Sequence, residues 1–95
     1  MEISNVGAII TIKGNIKSIS DFQEIKTCLD DITCTDKSIT LKIIDSISIT
    51  SSVIGYLTKL VYKDKIHISM TVGDKRLYEL LDELSLISQF NVQKD

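Results

Sequence analysis

The spacing of apolar residues changes several times along this chain. Three runs are rich in β-branched residues, which is typical of strands. Each run is followed by a segment whose apolar residues recur every three or four positions, as on one face of a helix. A strand–helix order that repeats three times requires a mostly parallel sheet with right-handed crossovers. The predicted strands are 6–13, 38–44 and 65–72, and the predicted helices are 20–32, a segment that ends near Lys63, and 75–86.

We predict a single α/β domain over residues 1–95, because a chain of this length supports one modest core. The stretch "SQFNV" at 88–92 predicts a short last strand, and 2–5 is a candidate edge strand. The predicted sheet is therefore mixed but mostly parallel, with four to five strands. Three helices on so small a sheet leave little room for a second layer, so we expect them mainly on one face.

Polar residues predict where the first helix begins. Ser20 is a natural N-cap, and Asp21 and Glu24 suit the positive end of the helix dipole. Cys28 lies on the apolar side of this helix, whereas Cys34 is expected just past its end. Both cysteines are interpreted as reduced thiols, since free cysteine usually behaves as a small buried hydrophobe.

The charge balance argues against several classes of partner. The chain has 11 basic and 13 acidic residues, too little net charge to indicate nucleic acid or an anionic membrane. Its apolar runs are far shorter than the roughly 20 residues that span a bilayer. Residues 1–20 also lack the apolar core of a signal peptide. We therefore expect a cytoplasmic protein that does not insert into a membrane.

Residue types with metal or cofactor chemistry are scarce. Besides Cys28 and Cys34, only His67 is available as another soft ligand, so no zinc set can be assembled. The four glycines form neither a phosphate-binding loop nor a dinucleotide fingerprint. The sequence therefore predicts no metal and no cofactor.

Three hydroxyl side chains, Thr50, Ser51 and Ser52, stand together before the second helix. A helix start needs only one such cap. A nucleophilic serine would need a base and a group that orients it. The sole histidine, His67, lies mid-strand between two isoleucines, so we expect it to be a partly exposed residue of the sheet and not a general base. We therefore expect that the chain is not an enzyme. A phosphate on one hydroxyl would instead add about two negative charges where the helix dipole favours anions.

The order of elements and the segment "TSSVIG" together resemble the STAS domain, the fold of bacterial anti-sigma factor antagonists. That family's hallmark is Asp-Ser-Ser/Ala-Gly-Leu-Gly followed by an apolar helix. Thr50 stands where the family has Asp, and Ser51 takes the place of the phosphorylated serine. The other four positions are occupied by Ser52, Val53, Ile54 and Gly55. The stretches "AIITIKGNI", "SITLKIID" and "LLDELSLISQFNV" extend the resemblance over nearly the whole chain.

A rival register would align Asp45 and Ser46 with the family's Asp-Ser pair. Five residues after Asp45 stands Thr50, where the family has a small glycine, whereas five residues after Thr50 stands Gly55. No amphipathic helix begins at Ser46. We therefore prefer Ser51 as the counterpart of the phosphorylated serine, with Asp45 at or near the acidic residue that ends the family's central strand.

The resemblance implies a non-enzymatic regulatory module that binds a protein partner. In the family, the unphosphorylated form captures an anti-sigma factor that is also a serine kinase, and this frees a sigma factor. Ser51 is the candidate phosphorylation switch. Two departures from the hallmark are that Thr50 caps the helix without a charge and that Val53 would add a side chain to the docking surface. The implied partner-binding residues are Asp45, Ser46, Thr50, Ser51, Ser52, Val53, Ile54 and Tyr56.

Two other functions remain open. One is an accessory subunit that resembles the STAS component of bacterial lipid-transport ABC assemblies and stabilises their ATPase without phosphorylation. The absence of the hallmark Asp and first Gly favours this function slightly. The other is a hydrolase built on Ser51 and His67, for which no third group can be named to orient the histidine.

Overall fold

The computed structural model describes residues 1–94. In this part of the chain, the strands form one sheet in the order β1-β2-β3-β4-β5. β1 pairs antiparallel with β2, and the later pairings are parallel. The predicted α/β fold with a mixed, mostly parallel sheet is therefore confirmed. The elements are β1 (Glu2–Val6), β2 (Ile9–Lys13), α1 (Ile19–Thr33), β3 (Ser38–Ile43), α2 (Ser51–Tyr62), β4 (His67–Val72), α3 (Lys75–Glu83) and β5 (Val92–Lys94).

The helices cover one face of the sheet. Each parallel crossover steps to the next strand in the same direction, and right-handed crossovers of this kind place their helices on the same side. Along β3, Ile39 and Leu41 are buried, whereas Ser38 and Lys42 on the other face are exposed. β4 alternates between buried apolar and more exposed polar residues in the same way. The prediction of helices mainly on one face is confirmed.

The first predicted strand is wrong at its start. Instead of one strand over 6–13, the chain turns at Gly7 and Ala8 and forms the β1–β2 hairpin. Gly7 has a φ of 58°, which glycine adopts without strain at the first position of a two-residue turn. The candidate edge strand is therefore present as β1, the antiparallel edge of the sheet.

Helix α1 begins earlier than predicted. Its N-cap is Ser18 rather than Ser20, and the Ser18 Oγ accepts a hydrogen bond from the N–H of Asp21 (3.1 Å). The Asp21 carboxylate accepts in turn from the N–H of Ser18 (3.2 Å) and from that of Lys17 (3.0 Å). This reciprocal capping box satisfies the first amides of the helix, so Ser20 becomes an ordinary helical residue.

The two cysteines lie where the sequence places them. Cys28 is half-buried on α1, and Cys34 is the C-cap residue immediately after the helix. Both are free thiols, and Cys34 is exposed. Burial is the main cause that raises the pKa of the Cys28 thiol, and the nearby Asp31 adds to it.

The last helix is shorter than the predicted 75–86. It ends at Glu83, and Ser85 adopts a left-handed conformation with a φ of 60° that stops the helix. Leu84, which the pattern assigns to the apolar stripe, is 48% exposed. Phe90 is fully buried and leads into the short β5, three residues long.

One hydrophobic core lies between the helices and the sheet. Full burial of an aliphatic side chain stabilises a protein by about 1.5–3 kcal/mol, so these contacts dominate the stability of the fold. Side chains from strands and helices that are at most 1% exposed include Ile10, Leu29, Leu41, Leu57 and Met70.

Candidate functional site

The candidate site lies at the carboxyl end of β3, where the chain leaves the sheet and enters α2. In open α/β sheets, ligands and partners are commonly bound beyond the carboxyl ends of the parallel strands. The β3–α2 loop (44–50) and the first two turns of α2 contain all eight residues that the sequence assigns to partner binding.

Ser46 is a structural residue of the β3–α2 loop. Its side chain is fully buried. The Ser46 Oγ accepts a hydrogen bond from the N–H of Ile16 (3.0 Å) and donates one to the carbonyl of Ser48 (2.6 Å). Since a buried hydroxyl is stable only when it is hydrogen-bonded, these contacts fix the loop. Contrary to the prediction, Ser46 offers no surface to a partner.

Three further side chains hold this loop to the loop between β2 and α1, and one of them is Ser48, whose Oγ donates a hydrogen bond to the carbonyl of Ile16 (3.2 Å). The Asp45 Oδ1 accepts a hydrogen bond from the N–H of Gly14 (2.6 Å). The Asn15 Oδ1 accepts one from the N–H of Ile47 (3.0 Å). Asp45 remains exposed. The carboxylate that orders the loop therefore also adds a negative charge to the surface of the site.

Thr50 is the N-cap of α2, as the sequence predicts. Its Oγ1 accepts a hydrogen bond from the N–H of Val53 (3.3 Å), and its carbonyl accepts one from the N–H of Ile54 (3.1 Å). The first turn of α2 contains no acidic residue. No side-chain charge in that turn therefore compensates the positive end of the helix dipole.

Ser51 and Ser52 occupy the first two positions of α2, and both are exposed. Within residues 1–94, neither their hydroxyls nor their backbone N–H groups have a hydrogen-bond partner in the protein. The first amides of a helix have no partner within the helix, so water or a bound group must satisfy them. A group attached to the Ser51 Oγ would lie in solvent beside these N–H donors.

Val53 and Ile54 point toward the protein. Val53 is 2% exposed and shares the inward face of α2 with Leu57 and Leu60. The expectation that Val53 adds a side chain to the docking surface is therefore wrong. Ile54 is half-buried and packs against the core, so it presents only part of its side chain to a partner.

Tyr56 lies between α2 and α1 and is 7% exposed. Its ring packs edge-on against Phe22, with 6.2 Å between ring centroids, and its hydroxyl donates a hydrogen bond to the Asp30 carboxylate. The Lys26 Nζ lies 5.7 Å from the Tyr56 ring centroid and 2.8 Å from Asp30 Oδ2. Tyr56 therefore joins two helices, and contrary to the prediction its ring is not presented to a partner.

The charges of this cluster are stable near neutral pH. Burial, followed by the hydrogen bond to Asp30, raises the pKa of Tyr56 above its ordinary value. The pKa of Asp30 is lowered, first by the hydrogen bond from Lys26 and then by that from Tyr56. A neutral phenol that donates to a charged carboxylate is a strong contact, and neither group is tuned to exchange protons near pH 7.

Two isoleucines that the sequence analysis does not assign to the site are exposed beside it. Ile44, directly after β3, is 42% exposed, and Ile47 in the loop is 40% exposed. Binding residues often lie on loops, and these two exposed apolar side chains are available for contact with a protein. The exposure of Ile47 is indicated in the sequence by its position between two serines in a polar loop. That of Ile44 is not, because the residue looks like the last one of a buried strand.

Two glycines shape the surroundings of the site. A Cβ at Gly73 would collide with the carbonyl oxygen of Ile44, so the β4–α3 loop runs directly against the β3–α2 loop. A Cβ at Gly55, one turn after Ser51, would meet nothing within 4 Å. The helix is therefore flat and open at that position. We call the exposed set Ile44, Ile47, Ser51, Ser52 and Gly55 the α2 N-terminal surface.

The structure does not bring Ser51 and His67 together. His67 begins β4 and pairs in register with Ser38 at the amino end of β3, whereas Ser51 follows the carboxyl end of β3. The six residues of β3 span about 17 Å. His67 is exposed on the sheet, as predicted, and its Nε2 lies 3.5 Å from the Ser69 Oγ.

Among the described residues, His, Cys, Asp and Glu side chains form no group of three or more that could hold a metal ion. No helix in residues 1–94 combines the length and the apolar character needed to cross a lipid bilayer.

Comparisons of the chain with protein-family models, with curated proteins and with solved structures returned no match.

Proposed function

We propose that this chain is a STAS-like anti-sigma factor antagonist. In this proposal it is a non-enzymatic module that binds an anti-sigma factor with serine kinase activity through the α2 N-terminal surface. The observation that carries the proposal is the exposure of Ser51 at the first position of α2, with no partner for its hydroxyl among the described residues. The order of elements on which the resemblance depends is present in the fold, which supports the proposal.

Phosphorylation of Ser51 would change the α2 N-terminal surface from nearly neutral to strongly negative. The kinase would transfer the γ-phosphoryl group of ATP to the Ser51 Oγ, with loss of the hydroxyl proton and release of ADP. The product carries about two negative charges at pH 7. A partner that packs on Ile44 and Ile47 would then have to desolvate this group, so the phosphorylated form would be released.

The local geometry suits such an acceptor. The positive end of the α2 dipole and the N–H groups of Ser51 and Ser52 favour an anion at this position. Val53 is buried, so it does not obstruct the approach of a kinase loop. The remaining departure from the family hallmark is Thr50, which supplies the cap of the missing Asp but not its charge.

A second function has its own support. An accessory subunit that holds a transporter ATPase without phosphorylation needs a permanent contact, and the exposed Ile44 and Ile47 provide apolar area for one. The uncharged Thr50 is also consistent with a surface that no kinase recognises.

The test compares partner capture from a lysate of the source organism by four forms: wild type, Ser51→Ala, Ser51→Asp and Ser38→Asp. Ser38 is exposed at the opposite end of β3, so Ser38→Asp adds the same charge away from the site. We expect wild type, Ser51→Ala and Ser38→Asp to capture a GHKL-type kinase. Ser51→Asp should capture about tenfold less of it.

Recovery of a transporter ATPase equally by all four forms would replace the switch with the accessory-subunit function.

A second experiment tests the modification itself. Incubation of the purified protein with the recovered kinase and ATP should add one phosphate, as measured by intact mass. The Ser51→Ala form should gain none. A phosphate that persists in Ser51→Ala would contradict the role of Ser51.

A further inference from the structure

The edge of the sheet at β1 is open. Among residues 1–94, β1 pairs on one side only, with β2. The two-residue turn makes Val6 and Ile9 a hydrogen-bonded pair, and bonded and non-bonded pairs alternate from there. The N–H and C=O groups of Ile3 and Asn5 therefore point away from β2. An unpaired edge of this kind is a template for an added strand.

A groove of about 650 Å³ runs between this edge and α1. Ile3 and Asn5 face it from the helix-covered side of the sheet, because their partners on β2 are buried. The Cys28 Sγ lies 4.0 Å from the Asn5 Oδ1, so strand and helix approach each other there. An edge strand beside a helix is the arrangement in which PDZ and PTB domains bind an extended peptide.

The α1 side of this groove is acidic. Glu24 and Asp31 line it and are exposed, and no basic side chain from the described part of the chain lines it. Among residues 1–94, neither carboxylate forms an ion pair. They lie seven residues apart, which is about 10.5 Å along a helix. Two same-face positions of an extended strand, i and i+4, lie about 13 Å apart, so one strand can reach both.

The charges argue against a second copy of this chain as the occupant. Two β1 strands paired antiparallel would be related by a two-fold axis perpendicular to the sheet, which places both copies of α1 on the same side. The carboxylates of Glu24 and Asp31 would then face those of the other copy across the junction. Like charges in such an arrangement are destabilising, whereas a basic segment is attracted.

We propose that β1 and the groove beside α1 form a binding site for an extended basic segment of a protein partner. The segment adds to the sheet next to β1 through the free backbone groups of Ile3 and Asn5. It places an apolar side chain near Cys28 and a Lys or Arg opposite each of Glu24 and Asp31. This site is separate from the α2 N-terminal surface and does not depend on the STAS-like function.

The test is an NMR titration of the full chain with a capped peptide, Lys-Thr-Val-Thr-Lys, whose groove-facing side chains are Lys, Val and Lys. The matched control peptide is Glu-Thr-Val-Thr-Glu. We expect the basic peptide to bind with a dissociation constant tighter than about 1 mM and the acidic peptide not to bind. The largest amide shifts should fall on Ile3, Asn5 and Cys28.

Two sets of variants address the backbone and the charges separately. Asn5→Pro removes an N–H that points to the open edge and should weaken binding about tenfold, whereas Asn5→Ala keeps that N–H and should bind like wild type. The double variant Glu24→Gln, Asp31→Asn should also weaken binding about tenfold. Its control, Asp36→Asn with Glu83→Gln, removes the same charge from exposed positions outside the groove. The charge variants keep the test valid if Asn5→Pro does not fold.

Several results would overturn the proposal. These are no binding of the basic peptide by the wild type, equal binding by the double variant and its control, or shifts that map to the α2 N-terminal surface. A dimer in sedimentation experiments that Asn5→Pro dissociates would assign the edge to a second copy instead. Ser51→Asp should leave peptide binding unchanged. A failure of the proposed peptide site can therefore be distinguished from a failure of the proposed phosphorylation switch.

Discussion

Helices α1 and α2 begin in opposite ways. The start of α1 is stabilised by its own exposed residues, because Ser18 and Asp21 form a reciprocal capping box. The hydrogen bond from the N–H of Lys17 is the largest cause that lowers the pKa of Asp21. The start of α2 has one hydroxyl cap, Thr50, and no carboxylate in its first turn.

The difference lies in what holds each helix start in place. At α1 the cap is formed by two nearby residues, Ser18 and Asp21, and the side chain of each accepts from the N–H of the other. At α2 the cap at Thr50 is also local but satisfies one amide only, and the loop before it is held by the buried Ser46, which accepts from the N–H of Ile16, 30 residues earlier. Within residues 1–94, the hydroxyls and N–H groups of Ser51 and Ser52 take part in none of these contacts. Such residues can be modified or contacted at little cost to the fold.

The largest expected effect tests whether the loop positions α2. Ser46→Ala leaves the buried N–H of Ile16 and the part-buried carbonyl of Ser48 without their partner. The free energy of unfolding should fall by about 2 kcal/mol, as measured by urea unfolding. Ser52→Ala removes an exposed hydroxyl that has no hydrogen-bond partner within residues 1–94, and should change the free energy of unfolding by less than about 0.5 kcal/mol. Equal losses for the two variants would show that α2 is not held through Ser46.

A smaller effect tests the contact between the two helices. Tyr56→Phe removes the hydroxyl that donates to the Asp30 carboxylate and leaves the packing against Phe22 in place. The free energy of unfolding should fall by about 1 kcal/mol, and urea unfolding measures it. The matched control is Tyr62→Phe, since Tyr62 is 61% exposed. If the two substitutions cost the same, the hydrogen bond between α1 and α2 does not contribute to stability.

The order of the elements could be predicted from the sequence because strand and helix periods are local signals. The β1–β2 turn could not be predicted from residue spacing, because β-branched residues lie on both sides of Gly7 and Ala8. Gly7 is the one residue there whose type is typical of a turn. The N-cap of α1 was misplaced because Ser18 and Ser20 are both suitable caps. Both serines have a residue three positions later that can complete a capping box, Asp21 after Ser18 and Gln23 after Ser20, and in the fold it is the Ser18–Asp21 pair that forms one.

At the site, the features that depend on local contacts could be predicted from the sequence, and most of those that depend on distant contacts could not. The cap at Thr50 and the exposure of Ser51 follow from the position of the helix start, which the pattern locates. The burial of Ser46 and Tyr56 depends on Ile16 and Asp30, which lie 30 and 26 residues away in the chain. No spacing rule indicates such pairs. The burial of Val53, in contrast, is indicated by the helical period that it shares with the inward face of α2.

The smallest expected effect compares the two caps directly. Thr50→Asp places a carboxylate at a helix start that has none, so at about pH 7 the free energy of unfolding should rise by about 0.5 kcal/mol. Ser18→Asp adds a second carboxylate beside Asp21 and should give no gain, because Asp21 already compensates that dipole.

The Thr50→Asp gain should depend on pH. The dipole lowers the folded-state pKa of the carboxylate introduced by Thr50→Asp, so its contribution is present above the unfolded pKa of about 4 and is lost as the pH falls through the folded pKa. Urea unfolding at about pH 7 and about pH 3 measures both variants, and the Thr50→Asp gain should disappear at the lower pH. Equal gains for the two variants would mean that the starts of α1 and α2 do not differ in charge compensation, and the preference of α2 for an anion would lose its physical basis.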